Sequence, residues 1–579
     1  RTIPAAFGIF GHGNACGLGE ALSAHIDELP FLAPKHEQAM VHTALGYAKA
    51  TRRLATLACT ASIGPGATNL VTGAATATTN RLPVLLLPGD TFASRLQGPV
   101  LQQLQHPASA DWTVNDTLRP VSRFFDRISR PEQLLDALPA AMRVLIDPAD
   151  TGAVTVCLHQ DVQGEPWDFP ETFFAPRVWR IDRRPPDERR LLGAADVLRD
   201  ACAPLAIVGG GVRYSGAEEA LTQLADRHGV PVAETSAAKG TARAELALGG
   251  IGVNGSGAAN AIAAEADVIL CAGTRLSDFT TGSRSLFAEG ARFIGLNVAA
   301  ADAHHLGALP LVADARAGLT ALDRALGDWV TTAAYRGRVR SARGEWHARV
   351  ERDLEPRPGE RMSQGQALET VNGAARAGDW VVAAAGSPPG DLLTLWDAPE
   401  GSFAHLEFAF SCMGHEIPAA LGIRMAEGAG GEILVVVGDG TYLMAPTELV
   451  TAARHGLKVT VVLLVNGGYQ SIHALQRTTL GTGFGTEFDG EAVDYAANAR
   501  SLGCAVWEAD TPQELSAALD NARAQDRPAV VACRVEPHRM LLGSDAWWEL
   551  GVPLVSDSPA AVALAATHRE GAARQRFHG

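Results

Sequence analysis

Short, uninterrupted apolar runs recur along the chain, at 54–59, 84–87, 205–208, 268–271, 293–298, 380–384, 433–437, 459–465 and 530–533, separated by longer alanine-rich stretches of helical composition. A run that is apolar at every position, rather than at every second one, marks a strand covered on both faces. Such strands alternating with helices predict parallel sheets with helices on either side, the doubly wound α/β class. Two segments break the rhythm with proline, arginine and glutamate: 177–190, with Pro185 and Pro186, and 351–361, with Pro356 and Pro358. Read as interdomain linkers, they divide the chain into three doubly wound parallel-sheet domains at 1–176, 190–350 and 362–555, followed by a polar tail over 556–579. Three similar layers predict a repeated fold without a sequence repeat.

Length and composition agree with this division. A chain of 579 residues and 60.7 kDa is too long for one hydrophobic core. It is 47% hydrophobic and 20% charged with a mean hydropathy of +0.04, values of a packed globular protein. Acidic residues outnumber basic ones 64 to 49, for a net charge of −15, so no broad basic surface is expected for nucleic acid. The apolar runs are far shorter than the ~20 residues of a membrane span, and no signal-like segment opens the chain, which predicts a cytoplasmic protein with no membrane partner. The chain starts at Arg1 rather than Met, close to an apolar segment, so native residues are expected ahead of it. Its eight cysteines are scattered without a Cys-x-x-Cys pair, which argues for reduced, buried thiols rather than a disulfide framework or a cysteine zinc site. Only four lysines (Lys35, Lys49, Lys239, Lys458) leave little room for Schiff-base chemistry.

The strongest chemical signal is the apolar run 433–437 leading into Gly438-Asp439-Gly440-Thr441, then a helical stretch, then the run 459–465 leading into Asn466-Gly467-Gly468-Tyr469. Asp439 and Asn466 lie 27 positions apart, one strand-helix-strand unit, so both fall at carboxyl ends of neighbouring parallel strands, where open α/β sheets bind ligands. A carboxylate and an amide oxygen form a hard-oxygen set suited to Mg²⁺ held jointly with substrate phosphates. The glycines let backbone approach those phosphates. Singly, Gly-Asp-Gly and Asn-Gly-Gly are common tight turns; their spacing and flanking strands favour the metal reading.

In these residues the chain resembles the thiamine diphosphate-dependent enzymes, whose Gly-Asp-Gly is followed at a similar interval by Asn-Asn. The resemblance implies Mg²⁺ held by Asp439, Asn466 and the carbonyl of Gly468, with Gly438, Gly440, Thr441 and Tyr469 around the diphosphate; Val465 stands where the first Asn is usual. It further implies that Glu37, in His36-Glu37-Gln38 and nine residues before Gly46-Tyr47-Ala48, bonds the aminopyrimidine and relays the proton whose loss activates the thiazolium. In Ser411-Cys412-Met413-Gly414, 26 residues before Asp439, Met413 would wedge between the cofactor rings and a carbonyl near Ser411 would accept from the amino group. Gly386 and Ser387 occupy the place of a second diphosphate loop. Gly64-Pro65-Gly66-Ala67-Thr68-Asn69 resembles the acetohydroxyacid synthase branch, where its role is structural, at a subunit contact beside the pyrimidine. Gly209-Gly210-Gly211 hints at a dinucleotide loop but lacks the full spacing. His12, on the glycine-rich loop Phe10-Gly11-His12-Gly13-Asn14, is a candidate for substrate contact.

Stretches with no cofactor role, among them Phe7-Gly8-Ile9-Phe10-Gly11-His12-Gly13-Asn14, Pro99-Val100-Leu101-Gln102-Gln103 and Ser544-Asp545-Ala546-Trp547-Trp548, are similar to a hydrolytic, ring-opening branch of the family in inositol catabolism. The similarity implies a polyhydroxylated cyclic 1,2-diketone and water as reactants and an open-chain aldehydo acid as product. His36, His415 and Pro418 depart from that branch's pattern. The alternatives are a carboligase or decarboxylase of 2-oxo acids, a flavin-dependent oxidase, and a non-catalytic subunit of the same fold. With the pyrimidine site in the first domain and the diphosphate site in the third, the family pattern implies a homodimer or homotetramer with active sites at the subunit interface.

Overall fold

The apolar runs become strands of three six-stranded, wholly parallel sheets in the computed structural model, which describes residues 2–397, 399–488 and 493–577. In space the first sheet reads Phe31–Leu32, Ala6–Ile9, Ala58–Ala61, Val84–Asp90, Ala153–His159 and Phe124–Ile128. The third reads Phe403–Leu406, Trp380–Ala383, Ile433–Gly438, Thr460–Val465, Ala529–Arg534 and Ala505–Ala509. Numbered by chain position within each sheet, both have the order 2-1-3-4-6-5, so the first and third domains repeat one topology. The middle sheet differs. It runs Leu309–Val312, Arg292–Asn297, Val268–Ala272, Pro204–Val208, Val232–Glu234 and Ala247–Gly250, the 3-2-1-4-5-6 order of dinucleotide folds read from its other edge.

Its Gly209-Gly210-Gly211 loop lies at that sheet's switch point, but the N–H groups of Gly209 and Gly211 donate to the carbonyls of Ala272 and Gly273, at 2.9 and 3.0 Å. Two donors that a phosphate would need are therefore engaged by backbone.

Central strands such as Val268–Ala272 are buried at every position, which is why they read as continuous apolar runs. Edge strands are less legible. Phe124–Ile128 carries Asp126 and Arg127, and Arg127 is held in place by Asp90 at 2.8 Å and Asp116 at 2.9 Å. Two expectations need correction. The helix Ala333–Leu354 continues into the first residues of the expected second linker. The expected polar tail contains an alanine-rich helix, Pro559–Ala572, against whose Gly571 the Trp547 ring packs. No helix among the described residues is long and apolar enough to cross a membrane.

The first and third domains meet through the helices Glu37–Ala50 and Glu416–Glu427. They touch backbone to backbone: a Cβ on Gly46 would fall on the carbonyl of Ala419, and one on Gly422 on the carbonyl of Thr43. Only glycine at both positions permits this approach, and it carries Glu37 and the Met413 segment, at the starts of the two helices, on one rigid pair. We expect Gly422→Ala to destabilise the protein by about 3 kcal/mol or more through overpacking. An unchanged thermal-unfolding midpoint would show that the helices can part without cost.

Candidate active site

In the first and third sheets the strand order reverses between the first and third strands in chain order, and the candidate residues gather at the carboxyl ends of those strands. In the third sheet, Trp380–Ala383 leads into Gly386 and Ser387, and Ile433–Gly438 leads into Asp439. The next strand, Thr460–Val465, leads into Asn466 and Gly468.

Asp439 is fully buried. Its Oδ1 accepts from the Gly440 N–H at 2.8 Å, and its Oδ2 from the N–H groups of Asn466 at 3.0 Å and Gly467 at 2.7 Å. Burial raises its carboxyl above the ordinary value, while these backbone donors pull the other way. The amide oxygen of Asn466 faces oxygens alone, 3.1 Å from Asp439 Oδ1 and 3.0 Å from the carbonyl of Gly468. Turned over, the amide would donate to both. As it stands, the amide oxygen lies from both of its neighbours at close to the ~3 Å edge of an octahedron with ~2.1 Å metal–oxygen bonds, the geometry Mg²⁺ demands. The donor set therefore fits a hard divalent cation.

Around this cluster, Thr441 is buried and Gly438 and Tyr469 are half-buried, with Tyr469 packed edge-on to Phe488 at 5.1 Å between ring centroids. Ser387 is buried at the N-cap of the helix that follows this loop. Its hydroxyl is engaged by Gln364, donating to Oε1 at 3.1 Å and accepting from Nε2 at 2.9 Å. Gly386 beside it is exposed.

The Met413 segment is held by residues that sequence reasoning missed. Glu407, fully buried, accepts from the N–H of Phe410 at 2.8 Å and of Cys412 at 3.2 Å, and from the Asn80 amide at 2.9 Å. Pinned on both sides, Ser411 adopts φ of +54°, a left-handed conformation that non-glycine residues hold only when their surroundings impose it. Met413 is half-buried beside it. Burial pushes the neighbouring Cys412 thiol up to about 12, so this cysteine is no thiolate nucleophile. Glu416, on the same helix start, accepts from the Ala385 N–H at 3.0 Å, and its other oxygen is buried without a partner. Its carboxyl is raised to about 7, chiefly by burial. Behind it, His405 and His415 share a 2.8 Å Nε2···Nε2 hydrogen bond, and burial depresses both. No sequence motif marks these groups, because each acts through a contact made in three dimensions.

In the first domain, Glu37 opens the helix Glu37–Ala50, whose N-cap His36 accepts from the Gln38 N–H at 3.1 Å. The Glu448 carboxylate accepts from the Lys35 and His36 N–H groups at 2.8 and 3.1 Å and ties this start to the third domain. Glu37 Oε2 accepts from the Asn69 amide at 3.0 Å, and its Oε1 faces Gly66. The Gly64-to-Asn69 motif thus orients the glutamate. No hydrogen bond or ion pair among the described residues joins Glu37 to Asp439, Asn466 or Gly468 within the chain. His12 is exposed on a loop fixed by buried Asn14, which accepts from the Gly11 N–H at 2.9 Å and donates to Thr60 at 3.1 Å.

Twin doubly wound domains, one with an oriented glutamate and one with an oxygen cluster on glycine loops, define the architecture of a thiamine pyrophosphate enzyme, the pyrophosphate being the same compound as the diphosphate. Models of that family match here: its N-terminal TPP binding domain over 2–110, its central domain over 191–322 and its C-terminal TPP binding domain over 385–533, and the chain belongs to the thiamine pyrophosphate enzymes. Over 96% of its length it is 42% identical to a Geobacillus thermodenitrificans protein named 3D-(3,5/4)-trihydroxycyclohexane-1,2-dione hydrolase, 92% of which is covered. Proteins of the same name from Bacillus velezensis and Bacillus cereus are 40% identical over the same shares.

Proposed function

We propose that the protein hydrolyses a carbon–carbon bond of a polyhydroxylated cyclic 1,2-diketone, trihydroxycyclohexane-1,2-dione, opening the ring to 5-deoxyglucuronate with thiamine diphosphate and Mg²⁺, in the cytoplasm and in inositol degradation. The observation that carries this reading is the 42% identity, sustained over 96% of the chain, to a hydrolase named for that dione.

In this reading Asp439, Asn466 and the Gly468 carbonyl hold Mg²⁺ against the diphosphate, and the backbone of Gly386, Ser387, Gly438 and Gly440 with Thr441 and Tyr469 lines the diphosphate site. When bound, thiamine diphosphate supplies an electron sink for the carbon whose bond is broken. Glu37 holds a proton at its carboxyl, facing the aminopyrimidine, with Asn69 fixing its direction. Met413 would be the apolar side chain against the cofactor rings, supported by the Glu407-pinned backbone at Ser411. His12 meets the substrate from its exposed loop. Water adds across the cleaved bond, so ring and water become one open-chain aldehydo acid with no second organic substrate.

A homodimer or homotetramer completes the site, Glu37 of one subunit serving the Asp439 cluster of another. This is supported by large apolar side chains left exposed near both halves. Leu96, Leu101 and Leu104 are 89, 73 and 63% exposed, and Met444, Ile472 and Phe484 are 55, 50 and 87% exposed. The deciding experiment is mass spectrometry of the dione after incubation with cofactor-stripped protein, before and after thiamine diphosphate and Mg²⁺ are restored. A mass gain of one water only after restoration is expected. Carbon dioxide released from 2-oxo acids, with the dione untouched, would replace this reading by the carboligase or decarboxylase one.

A further inference from the structure

A second cluster of ligating side chains lies outside the oxygen set. His473, in the helix Gln470–Leu480, Glu487, after it, and His538, beyond the strand Ala529–Arg534, bring one ligand atom each within 4.8 Å of one another. Glu487 Oε1 lies 3.5 Å from His538 Nε2 and 3.9 Å from His473 Nε2. Four-coordinate zinc with bonds of about 2.0–2.2 Å places its ligand atoms ~3.4 Å apart. Modest rotations of Glu487 and His538, both substantially exposed, close the difference.

The independent observation concerns His473. The residue is 5% exposed, and its Nε2, pointing at Glu487, is buried without a hydrogen-bond partner. An unpaired buried ring nitrogen costs free energy, so its orientation calls for a ligand. The other nitrogen, Nδ1, lies 3.0 Å from Thr486 Oγ1. Donation from Nδ1 to that hydroxyl leaves the lone pair on Nε2, the orientation by which a neighbouring group prepares an imidazole for a metal. The two rings stack with centroids 4.9 Å apart, so both edges present Nε2 to the same carboxylate.

We propose that His473, Glu487 and His538 form a binding site for a borderline transition-metal cation, Zn²⁺ before others, with a solvent-facing position left for water. Two imidazoles and one carboxylate select such a cation over Mg²⁺, whereas the all-oxygen Asp439 cluster selects the reverse. The site joins three segments around the loop that carries Asn466 and Gly468: Glu487 is bridged to Gly468, the Tyr469 N–H donates to the Thr486 carbonyl at 2.7 Å, and the Phe488 N–H to that of Gly467 at 2.9 Å.

The test is a chelator-competition titration of the full chain with Zn²⁺, magnesium being in large excess, with Co²⁺ as a visible-absorption probe. One Zn²⁺ per chain is expected, with ligand-field bands for bound Co²⁺ showing nitrogen ligands. His538→Ala, at an exposed position, should weaken binding at least ~100-fold and abolish those bands, and His473→Gln should do the same. Absence of zinc binding in the wild-type chain would overturn the proposal. Binding unchanged in His538→Ala would also overturn it, assigning the metal to other groups such as the exposed Cys16 or Cys202.

Discussion

Asp439→Ala yields a protein that no longer retains thiamine diphosphate, its affinity for cofactor with Mg²⁺ falling by about 10³-fold or more. The size of the effect follows from what the carboxylate does. It is the single charge in the oxygen set, and it accepts from three backbone N–H groups, those of Gly440, Asn466 and Gly467. Alanine leaves those donors facing a cavity, at about 1–3 kcal/mol for each buried donor unsatisfied, so the loops that carry Asn466 and Gly468 lose their common anchor. Asp439→Asn separates the two contributions: it removes the charge but keeps one oxygen acceptor for the Asn466 and Gly467 N–H groups, leaving the Gly440 donor unmatched, so it should lose less stability than alanine while still binding metal poorly. Calorimetric titration of the stripped proteins with Mg²⁺ and thiamine diphosphate reads both variants. Wild-type affinity in Asp439→Ala would remove the cluster from consideration as the metal site.

Glu37→Gln has the complementary signature: turnover falls by about 10²–10⁴-fold, the range for loss of a positioned proton-transfer group, while Mg²⁺ and cofactor affinity stay nearly unchanged. Glutamine keeps the length of the side chain and an oxygen for the Asn69 amide, so the loop geometry persists and only the exchangeable proton is lost. Glu37 is held by Asn69 in the first domain, whereas Asp439 anchors backbone of the third, so the two substitutions should not imitate each other. Steady-state kcat and KM, measured beside the same calorimetric titration, distinguish them. Unchanged turnover would refute the assignment of the relay, and lost cofactor binding would move Glu37 from proton transfer to cofactor retention.

Much of this arrangement was legible in one dimension. A strand buried on both faces must be apolar throughout, so the central strands of all three sheets could be read directly, and with them the carboxyl ends at which ligands gather. Asp439 and Asn466 stood out as candidates because a strand-helix-strand unit has a characteristic length and because the glycine turns sit in sequence beside them, while the Gly468 carbonyl was added by resemblance. Glu37 was legible only by resemblance, since a lone glutamate at a helix start carries no signal of its own.

Other features depend on contacts between residues distant in sequence, and no local pattern encodes them. Glu407 reaches Asn80 across 327 positions and, by gripping two backbone N–H groups, sets the unusual conformation of Ser411. Gln364 exchanges two hydrogen bonds with the Ser387 hydroxyl across 23 positions. Gly46 and Gly422 look like ordinary helix residues until the two helices cross at backbone contact. The helix in the tail buries only Ala561, Ala565 and Gly571, so little in its sequence marked it as a packed element. His473, Glu487 and His538 span 65 positions with irregular spacing, and only the folding of three segments around one loop brings them together. Burial and periodicity are local properties that a chain displays residue by residue, whereas convergence of side chains is a property of the packed tertiary arrangement.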